Sequence, residues 1–451
     1  MLNTLRKIIP SSIFTFFQPY YHKFLALLGA LLYRFPSRQI IVIGITGTKG
    51  KSTVVELVSK ILREAGCKIG SSSSVQFRVG EQIWQNTFKM TMPGRFIIQR
   101  YLRMAVDDGC KYFIMEVTSE GIKQYRHWFV DFDVAVFTNI HPEHIEAHGS
   151  FENYKKAKGE LFKTLDKSRQ KSIDGKIIDK IAFVNSDDQE STYFLSLTNA
   201  EKITYSLQKL EYTLLKNGST LTINNVQFTT CLLGKFNIYN ALASIKICSA
   251  LRVDLSVIKQ ALERITLIPG RMEEISSNQG FKIFVDYAHT PDSLEAVYEF
   301  LSKHIVNKDN DQSKKLICVL GATGGGRDKQ KRATFGAIAS KYCNEIIITN
   351  EDPYDEDPNT IMTDVASGVN KEIIPKLILD RREAIALALS LATNNDVVII
   401  TGKGCEPWMM LEDGKKISWD DRQIVREELL KKYSNPTSRQ VKIRKSSQRS
   451  W

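Results

Sequence analysis

The most constraining feature of this sequence is a rhythm. From residue 40 onward, short β-branched runs alternate with helix-length amphipathic stretches, the runs including IIVIGIT (40–46), YFIMEVT (112–118), DVAVFT (133–138) and IAFVN (181–185). Runs that are apolar at consecutive positions suit strands covered on both faces, so the pattern predicts a parallel sheet with crossover helices. Between about 203 and 233 short alternating runs with turn signals at Asn217-Gly218 and Asn224-Asn225 predict a small antiparallel patch. Helical stretches follow over 235–250 and 254–264, and Ile268-Pro269-Gly270 then breaks the pattern. A second alternation begins with KIFVDY (282–287) and continues through KLICVLGA (315–322), EIIITN (345–350), KLILD (376–380) and DVVIIT (396–401). The fold class expected is therefore α/β, with two domains over 40–270 and 271–434, an N-terminal segment 1–39 and a tail 435–451. A length of 451 residues is enough for that division.

Composition enters through its charge. The formal net charge of +12 invites a nucleic-acid reading, but the excess sits at the ends. Residues 1–39 hold Arg6, Lys7, Lys23, Arg34 and Arg38 and no acid; residues 430–451 hold seven Lys and Arg and no acid. The body between them is neutral overall, so no nucleic-acid partner is expected. Basic, aromatic-bearing termini suit peripheral contact with an anionic surface; packing of residues 8–35 on the body, and plain solvated tails, are the alternatives. FLALLGALLY (24–33) is too short to span a bilayer. Seven scattered cysteines without a Cys-x-x-Cys pair favour a reducing, cytoplasmic setting and exclude a zinc ribbon.

The first strand runs into Gly44-Ile45-Thr46-Gly47-Thr48-Lys49-Gly50-Lys51-Ser52-Thr53 and then a helix. A glycine-rich turn there lets backbone N–H groups and a helix N-terminus close on phosphate, with a lysine and an Mg2+-ligating hydroxyl beside them. Against the usual spacing, Gly44 is one residue too far and Gly47 two too close, yet the compact G-T-x-G-K-S form serves the same physics. Glu116 ends a buried-looking strand, where an acid needs a cation partner. After the next strand come Asn139, His141, Glu143, His144, Glu146 and His148, either a ligand cluster or a polar loop with satisfied histidines. Lys158 is one lysine among several on a helix. In the second domain, Asp286–His289, Gly324–Lys329, Glu351–Pro353 and Gly402–Glu406 each follow a strand, so they should gather on one sheet edge.

Together GITGTKGKST, MEVTS, TNIHPEHIEAHG, YKKAKGELF, GKFNIYNALAS, PGRME, DYAHTPDSL, GATGGGRDKQKR and TGKGCE resemble the Mur ligases over about residues 40–430, closest to the branch that adds a diamino acid to UDP-N-acetylmuramoyl-dipeptide. The resemblance implies a central P-loop-type ATPase domain, a Rossmann-like C-terminal domain that closes over it, and ATP-dependent amide formation through an acyl phosphate in peptidoglycan precursor synthesis. It implies a muramoyl-peptide and an amino acid as substrates, with ATP and two Mg2+ sites. By the same resemblance, Gly47, Thr48, Lys49, Gly50, Lys51, Ser52 and Thr53 surround phosphate, and Ser52 takes one Mg2+. Glu116, His144 and Lys158 serve a second Mg2+, with Lys158 carbamylated. Asn237 and Asn240 match adenine-side positions, and Arg271, Asp286 and His289 match nucleotide contacts. Arg126 matches a substrate position, and Arg327 matches the clamp on the incoming amino acid's carboxylate. Gly402 and Glu406, with Glu351, Asp352 and Tyr354, match positions at that amino acid's far end. Catalysis would fall to Lys51, Glu116, His144, Lys158 and Arg327.

Three departures qualify the match. The family's DHLD appears as Glu143-His144-Ile145-Glu146. Only some 40 residues precede the phosphate loop, so the UDP-gripping N-terminal domain is expected to be missing. The diaminopimelate-reading D-N-P-R is Glu351-Asp352-Pro353-Tyr354, and a tyrosine cannot replace an arginine facing a second carboxylate. Folylpolyglutamate synthase-like ligation, or a membrane-associated nucleotide-binding scaffold, are the competing readings.

Overall fold

A computed structural model describes residues 11–433, apart from Lys89, His144, 307–313, Arg327 and Asp328. Two expected catalytic residues, His144 and Arg327, therefore lie outside the described residues, as do residues 1–10 and the basic tail 435–451. The chain divides into two compact units between Ile268 and Pro269.

The first unit opens with helix α1 (Ser11–Leu32), which ends where Arg34 and Phe35 take left-handed φ values of 56° and 46°. Its sheet is built from β1 (Ile41–Thr46), β2 (Ile69–Ser72), β3 (Gln76–Val79), β4 (Gln82–Gln85), β5 (Tyr112–Glu116), β6 (Val134–Phe137), β7 (Ile181–Asn185) and β8 (Glu201–Tyr205), in the order β8-β7-β6-β1-β5-β2-β3-β4. Strands β8 through β2 run parallel, and β3 and β4 add an antiparallel edge. The expected parallel sheet is present; its antiparallel edge was not legible, because β3 and β4 carry no apolar run.

Alternation along β1 explains the two layers. Ile41, Ile43 and Ile45 pack with Val54, Leu57, Val58 and Ile61 of α2 (Lys51–Glu64), whereas Val42 packs with Leu102 of α3 (Arg95–Asp107) and with Leu161 and Phe162 of α4 (Phe151–Lys167). Side chains of a strand point alternately to opposite faces, so a fully apolar run fills both cores. The predicted antiparallel patch forms from β9 (Glu211–Leu215), β10 (Gly218–Ile223) and β11 (Val226–Thr230), with Asn224 and Asn225 at φ 49° and 62° making the tight turn. Ile203–Tyr205, read as the start of that patch, belongs to parallel β8 instead. Helices α5 (Lys235–Ala250) and α6 (Leu255–Glu263) close the unit.

The second unit holds a six-stranded sheet of β12 (Glu273–Glu274), β13 (Lys282–Asp286), β14 (Leu316–Leu320), β15 (Glu345–Thr349), β16 (Lys376–Ile378) and β17 (Val397–Thr401), ordered β12-β13-β17-β14-β15-β16. All pairs but β12–β13 are parallel. The unit's helices are α7 (Pro291–Leu301), α8 (Lys329–Tyr342), α9 (Pro358–Ala366), α10 (Arg381–Leu391) and α11 (Asp421–Tyr433), and one face of the sheet packs on α10 through Ala384, Ile385 and Ala388 and on α11 through Ile424 and Val425. In both units the polar loops named above follow the carboxyl ends of parallel strands, the edge where open α/β sheets bind ligands.

Candidate active site

The phosphate-loop candidate leaves β1 at Thr46 and enters α2 at Lys51. Gly47 and Gly50 take φ values of 149° and 82°. A Cβ on Gly47 would collide with the Thr138 hydroxyl, and one on Gly50 with the Asn240 side-chain oxygen, so glycine is required by both conformation and space. The loop is held from the end of β6: Thr48 N–H donates to the Asn139 carbonyl (2.8 Å), Lys49 N–H to Asn139 Oδ1 (2.9 Å), and the Thr138 hydroxyl to the Lys49 carbonyl (2.6 Å). Thr48 Oγ1 also meets the buried Tyr154 hydroxyl at 3.0 Å. Helix α2 begins without a side-chain cap and without an acid in its first turn, which leaves the positive end of its dipole facing the loop.

Two ammonium groups meet at one carbonyl. Lys51 Nζ donates to the Gly47 and Thr48 carbonyls, both at 2.9 Å, and Lys158 Nζ donates to the same Gly47 carbonyl at 2.7 Å. Lys158 is 2% exposed and also lies over the Tyr154 ring, 4.5 Å from its centroid. Burial, reinforced by the Lys51 charge, holds the Lys158 amine well below the ordinary lysine range. On the other side of the loop, Ser52 Oγ lies 2.6 Å from Ser74 Oγ, and the Ser74 N–H donates to Glu116 Oε1 at 2.6 Å. Glu116, buried at the end of β5, is thus tied to the helix start through Ser74.

The remaining first-unit candidates divide. Asn240 Nδ2 donates to Asn237 Oδ1 (3.0 Å), and Asn237 Nδ2 donates to the Leu233 carbonyl (2.8 Å), so both are buried behind the loop. Thr53 is buried in the first turn of α2. Lys49 pairs with Glu143 at 3.2 Å. His148 follows the bland alternative for its loop, with Nε2 3.1 Å from the Ser119 hydroxyl. Arg126 bonds elsewhere, to the Met92 carbonyl and to Gln124 Oε1 (2.7 Å). Among the described residues no three His, Cys, Asp or Glu side chains converge as a metal cluster. Ser52 and Glu116 offer hard oxygens, the donor type that Mg2+ requires.

In the second unit the expected residues form a connected network. Asp286 accepts from Met272 N–H (2.6 Å) and Ala288 N–H (2.7 Å), which locks the end of β13. Arg271 lies over the Tyr287 ring, 4.3 Å from its centroid, and His289 Nδ1 sits 2.7 Å from the Tyr287 carbonyl. The Tyr287 hydroxyl donates to Glu406 Oε1 (2.8 Å), and Lys403 reaches Glu406 Oε2 (2.5 Å) and Asp352 Oδ1 (3.0 Å). Lys403 is fully buried, so its charge is already matched by two carboxylates. Glu351 accepts from Thr323 Oγ1 at 2.9 Å while its Oε2 is buried without a hydrogen-bond partner, and burial pushes its carboxyl up to about 7. Gly402, at φ 109°, leaves room for that carboxyl: a Cβ there would strike Glu351 Oε2.

Acids after Tyr354 are otherwise engaged. Asp355 accepts from Asp413 N–H (2.9 Å), Glu356 pairs with Arg332 (2.7 Å), and Asp357 caps α9 (Pro358–Ala366). Of the five acids around Tyr354, only Glu351 and Asp352 join the buried network. Sequence reasoning passed over Ser74, Thr138, Tyr154, Tyr287 and Thr323. Tyr154 alone carried a usable signal, lying four residues before Lys158 on one helix face.

The profile of the Mur ligase middle domain matches residues 45–248, and that of the Mur ligase glutamate ligase domain matches residues 270–404. A UDP-N-acetylmuramoyl-L-alanyl-D-glutamate–2,6-diaminopimelate ligase of Caldanaerobacter subterraneus subsp. tengcongensis is 33% identical over 415 residues, covering 89% of this chain and 81% of that protein. The enzyme of the same name from Clostridium botulinum is 35% identical over 428 residues, covering 91% and 82%. A solved structure with that enzyme name superposes with a TM-score of 0.57 at 26% identity, over 87% of this chain and 79% of the other. A Mycobacterium tuberculosis folylpolyglutamate synthase, at TM-score 0.62 and 17% identity over 84% and 91%, shares the fold. With both domain profiles matched in order and relatives above 30% identity along most of its length, the chain belongs to the Mur ligase family.

Proposed function

We propose that this protein is an ATP-dependent acid–amino-acid ligase that joins an amino acid to a muramoyl-peptide carboxylate in peptidoglycan precursor synthesis. The observation that carries the reading is the convergence of Lys51 and Lys158 on the Gly47 carbonyl, beside the Ser52–Ser74–Glu116 chain. The Lys51 ammonium and a helix N-terminus at one turn favour a polyanion, and the Glu116 carboxylate with the buried Lys158 amine favours a hard divalent cation once that amine is carbamylated.

In this reading Gly47–Thr53 surround the phosphates, and Lys51 neutralises charge on the γ-phosphoryl group as it passes to the substrate carboxylate. Mg2+, when bound, polarises phosphoryl oxygens; Ser52 would hold one ion, and Glu116, His144 and Lys158 a second. Addition of CO2 to the Lys158 amine, with loss of one proton, gives a carbamate whose oxygens suit that ion. Asn237 and Asn240 stay assigned to the adenine side, Arg271, Asp286 and His289 to the nucleotide, and Arg126 to the carboxylate donor. The incoming amine then displaces phosphate from the acyl phosphate while Arg327 holds the α-carboxylate.

The far end of the amino acid is read by Glu351, Asp352, Tyr354, Gly402 and Glu406. Two carboxylates there, Asp352 and Glu406, meet one lysine, Lys403; the buried Glu351 carboxyl is bonded to Thr323 instead, and Tyr354 supplies no charge. Such a site favours an amine over a second carboxylate, so lysine or ornithine is the expected substrate in preference to meso-diaminopimelate. ADP release measured across muramoyl-peptide donors and these amino acids tests both levels. No turnover with any muramoyl peptide, or turnover with folate substrates instead, overturns the muramoyl-peptide assignment; a clear kcat/KM preference for diaminopimelate overturns only the specificity.

A further inference from the structure

Helix α1 is amphipathic in the wrong sense for a helix on a protein surface. Its inner stripe is small: Ala26 and Ala30 are 1% and 0% exposed, and a Cβ on Gly29 would lie 3.5 Å from the Phe96 Cα. Its outer stripe is large and apolar. Tyr21, Phe24, Leu27, Leu28, Leu31 and Leu32 are 37% to 64% exposed and recur at three- and four-residue spacing on one side. Rotating the helix to bury that stripe would bring its bulky side chains to where Ala26, Gly29 and Ala30 now pack closely on the first unit. Lys23 further pins the inner side, sitting 4.9 Å and 4.8 Å from the Tyr125 and Trp128 ring centroids. A stripe of this composition is stable in water only at a cost in hydration, and contiguous apolar patches mark contact surfaces.

We propose that α1 is a membrane-surface helix whose outer stripe enters the interfacial layer of an anionic bilayer while its inner stripe holds the first unit there. The inference is independent of the ligase reading. Two observations select lipid over a second copy of the chain. Residues 1–39 carry five Lys and Arg and no acid; Lys23 is turned inward and Arg38 pairs with Asp131, and the net positive charge that is left attracts anionic headgroups and disfavours an identical segment. With Phe17 and Tyr20, which are also exposed, the stripe runs from Phe17 to Leu32, just over two heptads and about 24 Å, still short of the three to four heptads of a stable coiled-coil pair. Among the described residues no helix is long and apolar enough to cross a membrane, so α1 would lie along the surface.

The test uses the full chain and the variant Phe24→Glu/Leu28→Glu/Leu31→Glu. Co-sedimentation is measured with vesicles of mixed phosphatidylglycerol and phosphatidylcholine, and with phosphatidylcholine alone, at low and high salt. The parent should partition onto the anionic vesicles, salt should weaken it, and the variant should bind at least about tenfold less at unchanged Tm. Equal binding by variant and parent overturns the proposal, as does equal binding to the neutral vesicles. A fall in Tm of more than about 5 °C overturns it too, since the stripe would then be covered in the free protein. Sedimentation showing a parent dimer that the substitutions dissociate assigns the face to a second copy and likewise overturns it.

Discussion

Replacing Lys158 by alanine separates a chemical role from a structural one. Three buried methylenes are lost, worth about 0.8 kcal/mol each, or about 2.4 kcal/mol. The hydrogen bond to the Gly47 carbonyl and the contact with the Tyr154 ring add about 1 and 0.5 kcal/mol. The Gly47 carbonyl is not orphaned, because Lys51 still donates to it. Against these losses stands relief from a buried ammonium beside the Lys51 charge. The net destabilisation is therefore at most about 4 kcal/mol, below the roughly 5–15 kcal/mol that holds a domain, and the variant should show parent-like circular dichroism at 25 °C. Turnover should nonetheless fall at least about 100-fold, the cost of removing one group that stabilises charge at the reacting phosphoryl. Formate or acetate should restore at least about tenfold in Lys158→Ala, where the emptied volume can hold a carboxylate, and nothing in Lys158→Met, whose side chain fills it. ADP release with thermal melts in parallel reads all of this. Full activity in Lys158→Ala, or equal rescue of both variants, would refute the carbamate.

Other groups give two further outcomes, one in each unit. Lys51→Ala should lose acyl-phosphate formation by about 100-fold or more in a hydroxylamine-trapping assay, while Lys156→Ala, at an exposed position of α4, should stay within about threefold; equal losses would refute the loop's assignment. Glu351 is held at about 7 in the fold against 4.5 for an ordinary glutamate, so its contribution is fully present below about pH 4.5 and lost as pH rises through 7. Urea unfolding of the second unit should show the parent losing about 3 kcal/mol from this group between pH 5 and 8, and Glu351→Gln should flatten that decline.

The sheet-and-helix order, the glycine-rich turn between β1 and α2 and the gathering of second-unit loops on one edge were legible in the residues, because strands, their periods and glycine turns are local properties. Gly47, Gly50, Lys51 and Ser52 could be named from a ten-residue window. Lys158 could not be singled out on its helix from local pattern alone, since Lys155 and Lys156 lie beside it and only packing decides which ammonium is buried at the Gly47 carbonyl. The same holds for Ser74, in a serine run with no distinguishing pattern. The five acids around Tyr354 looked alike in one dimension; in the fold three cap, pair or brace the backbone and two enter the buried network. For α1 the sequence showed an apolar, basic, aromatic segment, and only tertiary packing decided that its small residues face inward and its large ones outward. Residue type and spacing determine which elements form; which side chain is desolvated, and against what, is a long-range property that exists only once those elements have packed.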